Sequence, residues 1–333
     1  MKPSSVSLVT GAAGFVGAHL TDELLERGHR VVALDDLSGG QRENIPDGAS
    51  FCEGSILDET LVKALFGEHQ FDYVFHFAAY AAEGLSHFIR RFNYTNNLLG
   101  SVNLINASVN QGVKLFVFAS SIAVYSEQQV PATEEAAPQP EDPYGVAKYA
   151  VELDLRAAQA MFGLNWVAFR AHNVYGEGQN LADRYRNVVG IFMNCILHGR
   201  PLPIFGDGEQ TRAFTYVGDI VPVIADSIGQ PAAWNQVFNI GADSPRTVNE
   251  LGRAVSRAMG VPFDPQYLPA RHEPRNFYAS HQKSERCFGR RDLTTLEAGL
   301  ARMAAWVKIA GKQHAREFGA LEIEKNLPPS WRE

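Results

Sequence analysis

The stretch Val6-Ser7-Leu8-Val9-Thr10-Gly11-Ala12-Ala13-Gly14-Phe15-Val16-Gly17 passes from an apolar strand pattern into a glycine-punctuated turn. A second apolar run, Arg30-Val31-Val32-Ala33-Leu34, ends on Asp35. Glycines at these spacings permit a tight turn and close backbone approach to a pyrophosphate, which the N-terminus of the following helix attracts with free N–H groups and its dipole. Asp35 lies eighteen residues past Gly17. There a carboxylate accepts hydrogen bonds from both hydroxyls of an adenosine ribose and repels a 2′-phosphate. The stretch therefore predicts a strand-turn-helix-strand dinucleotide site that takes NAD rather than NADP.

Outward from this unit, apolar runs without alternation at 49–53, 73–77, 114–119 and 166–170 are interleaved with long helical patterns at 86–111 and 143–162. That alternation predicts an α/β fold, a Rossmann-type doubly wound parallel sheet whose strands are buried on both faces. Past Arg170 the pattern loosens. Gly, Pro and aromatic residues crowd 175–212, and an irregular, charged stretch runs over 261–291. We expect an NAD-binding domain over 1–174, with 213–260 returning to it through a strand at 237–241 and a helix at 247–259. A smaller substrate lobe is expected over 175–212 and 261–292, and a C-terminal helical tail over 293–333, with a helix at 293–310 that carries Trp306 on its apolar side.

A chain of 333 residues that is 45% hydrophobic is long enough for one large core with a smaller annex. Its net charge is −7 and it has no Lys/Arg run, which argues against a nucleic-acid partner. Three widely spaced cysteines, Cys52, Cys195 and Cys287, suit neither a disulfide framework nor a zinc site, so no metal is expected. No apolar leader and no bilayer-length apolar stretch is visible, from which cytoplasmic residence is expected.

Candidate chemistry clusters after the run at 114–119, where Ser120 and Ser121 are followed, past a proline-punctuated loop, by Tyr144-Gly145-Val146-Ala147-Lys148. Residues four apart share a helix face, so Lys148 can bring its ammonium beside the Tyr144 phenol. With 11 tyrosines and 30 Lys and Arg residues, such a pair arises about once by chance, and Tyr267/Arg271 is a second instance. Position distinguishes Tyr144/Lys148: it follows a serine-rich strand end, and ligands of such sheets sit outside the carboxyl ends of the strands. Ser120 and Ser121 alone read equally as strand-end caps. His76 and His172, in or beside apolar runs, read as structural. Glu83 has two readings, a carboxylate facing the site or an acid at a helix start.

In its blocks 10–17, 32–37, 76–79, 97–100, 120–125, 144–148, 170–176, 205–219 and 271–273, the chain resembles the extended short-chain dehydrogenase/reductase family. Within it, the likeness is to the NAD-dependent UDP-glucose (UDP-galactose) 4-epimerases and their relatives, and it runs from Val6 to about Trp306. The resemblance implies that Tyr144 is the catalytic base, Lys148 its partner and a ribose ligand, and Ser121 a hydrogen-bonding helper that also touches substrate. For NAD it implies Gly11, Gly14, Phe15 and Val16 at the turn, Asp35 and Asp36 at the ribose, and Ser55 and Ile56 near the adenine. Phe77, Ala78, Ala79 and Asn97 complete that set with Tyr144 and Lys148. For a UDP-sugar it implies Asn173, Asn187, Val188 and Phe205, with Arg212, Arg271 and Glu273 at the diphosphate side.

The chain departs from the family at Ser55, where an aspartate is usual, at Ser126 in place of glycine, at Ser280 in place of aspartate, and in the basic run Arg184-Tyr185-Arg186. Family dehydratases carry an Asp-Glu pair directly after the catalytic Ser/Thr, where this chain has Ile122 and Ala123, which transfer no protons. The implied reaction is C4 inversion of a UDP-hexose or UDP-hexuronate through a 4-keto intermediate. The alternatives are another nucleotide-sugar oxidoreductase of this fold and a non-catalytic NAD sensor. The long helices at 86–111 and 143–162 also match the elements that pair in a family homodimer. Arg184 or Arg186, if turned into the site, would favour a C6 carboxylate.

Overall fold

The computed structural model describes residues 5–271, 273–313 and 319–332. The chain opens with β1 (Val6–Thr10), α1 (Phe15–Glu26), β2 (Arg30–Asp35), β3 (Ser50–Glu53), α2 (Glu59–His69) and β4 (Tyr73–His76). There follow α3 (Glu83–Ser86), α4 (Arg90–Tyr94), α5 (Gly100–Gln111), β5 (Leu115–Ser121), α6 (Pro143–Phe162), β6 (Trp166–Ala171), β7 (Val174–Tyr175) and α7 (Val188–Leu197). Next are β8 (Leu202–Phe205), β9 (Thr211–Ala213), β10 (Thr215–Tyr216), α8 (Val217–Asp226), β11 (Gln236–Ile240) and β12 (Pro245–Thr247). The last elements are α9 (Val248–Met259), β13 (Pro265–Leu268), β14 (Asn276–Phe277), α10 (Gln282–Phe288) and α11 (Leu296–Ala310).

Seven strands form one parallel sheet in the order β11-β6-β5-β4-β1-β2-β3. This is the Rossmann-type α/β fold the sequence predicts. The strand order reverses between β1 and β4, and at that switch point the crevice outside the strand ends receives ligands. The returning strand is β11, paired with β6. Small sheets, β10-β7, β12-β9-β14 and β13-β8, build the far side of the crevice. Helix α8 packs on α1, whereas α9 packs against α7 and α11.

The single helix predicted over 86–111 is broken. Ile89 leaves helical geometry before α4, and a π-helical turn, Thr95–Leu99, separates α4 from α5. Side chains explain the break. Glu322, far along the chain, accepts from the backbone N–H groups of Arg91 and Phe92 and so caps α4 (2.7 and 2.8 Å). Asn93 donates to the Pro143 carbonyl (2.8 Å), and Asn97 accepts from the Tyr80 N–H (2.9 Å). By contrast α6 runs over the predicted span, with Asp142 accepting from the Gly145 N–H at its start and a left-handed Gly163 at its end.

Beneath the site the Glu152 carboxylate binds the Arg170 guanidinium twice (2.9 and 2.5 Å) and accepts from Ser120 (2.6 Å), and Arg170 also donates to the Tyr125 hydroxyl (2.6 Å). This buried network ties α6 to β5 and β6. The segment 319–332 returns to α3 and α4, where Leu327 and Trp331 pack with Ala82, Leu85 and Ile89. Among the described residues, no helix is long and apolar enough to cross a membrane, and no cluster of His, Cys, Asp or Glu is arranged to hold a metal ion.

Candidate active site

A cavity of about 1570 Å³ opens at the switch point and extends from the glycine turn to the small sheets. At the turn Gly11 adopts φ +71°, and a side chain there would stand 2.6 Å from the Ala78 nitrogen. At Gly17 a side chain would meet the Gly11 oxygen at 2.1 Å. Only glycine lets β1, α1 and the 77–79 loop close this tightly. Helix α1 begins at Gly14 without a side-chain cap, which leaves its first N–H groups for an anion. Asp35, at the end of β2, accepts from the N–H groups of Ala13 (3.0 Å) and Leu37 (2.8 Å). Burial pushes its carboxyl up, against those two bonds. These features fit a dinucleotide: a bare helix N-terminus for the pyrophosphate, with a fixed carboxylate beside it.

Gly11, Gly14, Phe15, Val16, Asp35, Asp36, Ile56, Phe77, Ala78 and Ala79 all line this cavity. Ser55 and Asn97 do not. The Ser55 hydroxyl turns back to accept from the Leu57 N–H (3.2 Å). The Asn97 amide is spent on Tyr80 and on Asn93 (2.8 Å), so it holds the loop that follows Ala79 instead of facing the crevice.

Tyr144, in the first turn of α6, has Ser121, at the end of β5, as a side-chain neighbour that draws its phenol down. The Ser121 hydroxyl also accepts from the Ala123 N–H (3.1 Å). Lys148, one turn on, donates to the Ala119 carbonyl (2.7 Å), and its Nζ lies 5.6 Å from the centre of the Tyr144 ring. Burial brings this amine down to about 7. With protein groups alone around it, the Tyr144 phenol is pushed up by burial and by the charges of Glu83 and Asp142, and Ser121 and Arg186 pull the other way. Lowering it is left to a cation that joins the site.

On the far wall, Arg212 donates to the Thr211 and Pro274 carbonyls (2.9 and 2.7 Å) and, like Arg271, reaches Glu273 (3.5 and 3.1 Å). The Arg271 guanidinium stacks 4.4 Å from the centre of the Phe205 ring. Two guanidiniums sharing one carboxylate form a cationic pair suited to a diphosphate. Asn173, Asn187 and Val188 line the cavity, but both amides already bond backbone: Asn173 the Ala213 carbonyl (3.1 Å), Asn187 the Val174 carbonyl (2.7 Å) and the Val189 N–H (2.9 Å).

The two basic side chains of 184–186 are engaged by protein. Arg184 donates to the Trp331 carbonyl (2.7 Å), and Arg186 pairs with Asp183 (3.0 Å) over the Tyr80 ring. His76 sits between the Thr10 and Ser101 hydroxyls (2.8 Å each), and burial takes it down to about 3, which fits its structural reading. His172 lines the cavity but bonds His281 (2.8 Å) behind it. Sequence reasoning missed Asp142, Tyr80 and Trp331. Asp142 was signalled by its place before Pro143 at a helix start, whereas nothing local marks Trp331 as a cavity wall.

A parallel sheet with a glycine turn at its switch point and a serine, tyrosine and lysine converging on the crevice define an extended short-chain dehydrogenase/reductase. Residues 7–241 match the model of the NAD dependent epimerase/dehydratase family. The chain is 36% identical over 272 residues to UDP-glucose 4-epimerase of Mycolicibacterium smegmatis, covering 80% of this chain and 86% of that protein. It superposes on the UDP-glucose 4-epimerase of Thermotoga maritima, solved with UDP-glucose, with a TM-score of 0.87, 35% identity and coverage of 92% and 99% of the two chains. It also superposes on the UDP-glucuronic acid 4-epimerase of Bacillus cereus, solved with UDP-glucuronic acid and NAD, with a TM-score of 0.84, 27% identity and coverage of 92% and 99%. This chain belongs to the NAD dependent epimerase/dehydratase family.

Proposed function

We propose that this protein inverts C4 of a UDP-hexose with NAD as a resident cofactor. The observation that carries the reading is the meeting of Tyr144, Ser121 and Lys148 in one cavity that also holds the dinucleotide turn and the Arg212/Arg271 pair. NAD, when bound, supplies the hydride acceptor and a positive charge. Gly11, Gly14, Phe15, Val16, Asp35 and Asp36 hold its adenosine and pyrophosphate half. Arg212 and Arg271 clamp the UDP diphosphate, with Phe205, Asn173, Asn187 and Val188 around the nucleotide and sugar. Tyr144 takes the proton from the C4 hydroxyl, while Ser121 donates to the same oxygen and orients it. Lys148, whose amine lies beside the phenol, reaches the ribose. Once the 4-keto sugar has turned over in the cavity, Tyr144 returns the proton and C4 is inverted, with no net redox change.

The supporting absence is chemical: Ile122 and Ala123, next to Ser121, offer no acid or base for elimination at C6. We further propose a homodimer built on the exposed apolar residues Phe92 and Leu99 of the α4 and π-turn segment and Val146 and Leu153 of α6. Three free cysteines suit a reducing, cytoplasmic setting. The test is incubation of the purified protein with UDP-hexoses and no added NAD, with products resolved by chromatography. A C4 epimer of unchanged mass is expected. A product of altered mass, or a need for stoichiometric NAD, sinks the reading.

A further inference from the structure

One carboxyl on the cavity wall has no part in the reaction as derived above. Glu83 opens α3 and lines the cavity with Tyr144, Asp142, Arg212 and Arg271. Its side chain is exposed to the cavity, and its charge is felt at the Tyr144 phenol. Glu83 is the first-turn acid of α3, but that helix has only four residues and no described residue donates to the Glu83 carboxyl, so the helix alone does not account for it. The backbone around it is held: Ser86 donates its hydroxyl to the Glu83 carbonyl (2.6 Å), Ala82 and Leu85 are buried, and Trp331 lies against Gly84. Arg212 and Arg271, which share Glu273, act on the Glu83 carboxyl through space without a hydrogen bond to it, and Arg186 pairs with Asp183. A sugar held beside Tyr144 therefore meets a carboxyl on a held backbone, which desolvation and then the Asp142 charge raise to about 7, so that its ionised, accepting form prevails above neutrality.

We propose that Glu83 reads the hexose, accepting hydrogen bonds from ring hydroxyls of a neutral sugar and repelling one that carries a carboxylate, so that the substrate class is the UDP-hexoses and not the UDP-hexuronates. The inference rests on the 4-epimerase reading. Hydroxyl donors to a carboxylate are among the stronger hydrogen bonds, and a second carboxylate brought against an ionised one is disfavoured by like charge. The same carboxylate thus favours one sugar series and disfavours the other.

The test measures kcat/KM for C4 epimerisation of UDP-glucose and of UDP-glucuronate in the parent and in Glu83→Gln, which keeps the shape and removes the charge. The parent is expected to prefer UDP-glucose, and Glu83→Gln to narrow that preference by at least ~10-fold, with part of the change a gain on UDP-glucuronate. Calorimetric UDP binding within about 2-fold of the parent shows that the cavity is intact in the variant. A parent that prefers UDP-glucuronate, an unchanged ratio in Glu83→Gln, or loss of UDP binding in that variant overturns the inference while leaving the epimerase reading in place. A parent that epimerises neither sugar overturns that reading and this inference with it.

Discussion

Replacing Lys148 by methionine should make the protein more stable at pH 6.5 and slightly less stable at pH 9.5. The amine is 2% exposed, and burial holds it at about 7 against an ordinary 10.5. The unfolded chain keeps the proton up to its ordinary value, whereas the folded chain gives it up three to four pH units earlier. The folded state therefore bears a penalty that is full below pH 7, shrinks as pH rises and vanishes above about 10.5. At about 1.4 kcal/mol per pH unit, that penalty is roughly 4–5 kcal/mol in acid and about 1–2 kcal/mol at pH 9.5. Methionine fills the same volume but leaves the Ala119 carbonyl without its donor, at a cost of about 2 kcal/mol. The net gain is then roughly 2 kcal/mol at pH 6.5 and crosses zero near pH 9. Urea midpoints of nucleotide-free parent and variant across this range measure it. A variant less stable by the same margin at both pH values would refute the argument that burial of the ammonium dominates this position. Turnover falls in the same variant, so stability and catalysis part company at one residue.

Two further outcomes are expected. Tyr144→Phe should bind UDP-sugar nearly as the parent does and lose ~10²–10⁴ in turnover, the range for a lost general base, as read by calorimetry and single-turnover assays; near-normal turnover would remove the phenol from the mechanism. Leu99→Glu combined with Leu153→Glu should turn a two-chain particle into one of 36.6 kDa by light scattering, and a parent already at 36.6 kDa would count against the dimer.

What the sequence made legible follows from how local each signal is. Gly11 and Gly17 are readable because no other residue fits between β1, α1 and the 77–79 loop, and α6 because its start at Asp142-Pro143 and its stop at Gly163 lie within the helix's own stretch. The break at 89–99 was not readable. It depends on Glu322, Pro143 and Tyr80, which reach α4 and the π turn only once the fold has formed. Asn97 illustrates the same limit: its place in the sequence pattern suggests the cofactor, but its amide is consumed by a loop seventeen residues away. Ser55 likewise bonds its own turn. The two readings of Glu83 both describe its place, since it lines the cavity and opens the four-residue α3.

Trp331 lines the cavity although nearly the whole chain precedes it. Translation therefore delivers the pieces of this crevice in a fixed order. The turn at Gly11–Gly17 and the carboxylate at Asp35 emerge from the ribosome first. At about 5–20 residues per second, roughly 15–60 s pass before the segment carrying Trp331 is made. In that interval the nascent chain carries the glycine turn and Asp35 while the cavity still lacks the wall that Trp331 supplies. The edge strand β11, which closes the sheet against β6, also arrives late and covers a flank that is otherwise bare backbone. The chain thus spends much of its synthesis with an uncovered β6 flank and an unfinished pocket, and β11 and then the segment carrying Trp331 close them in turn.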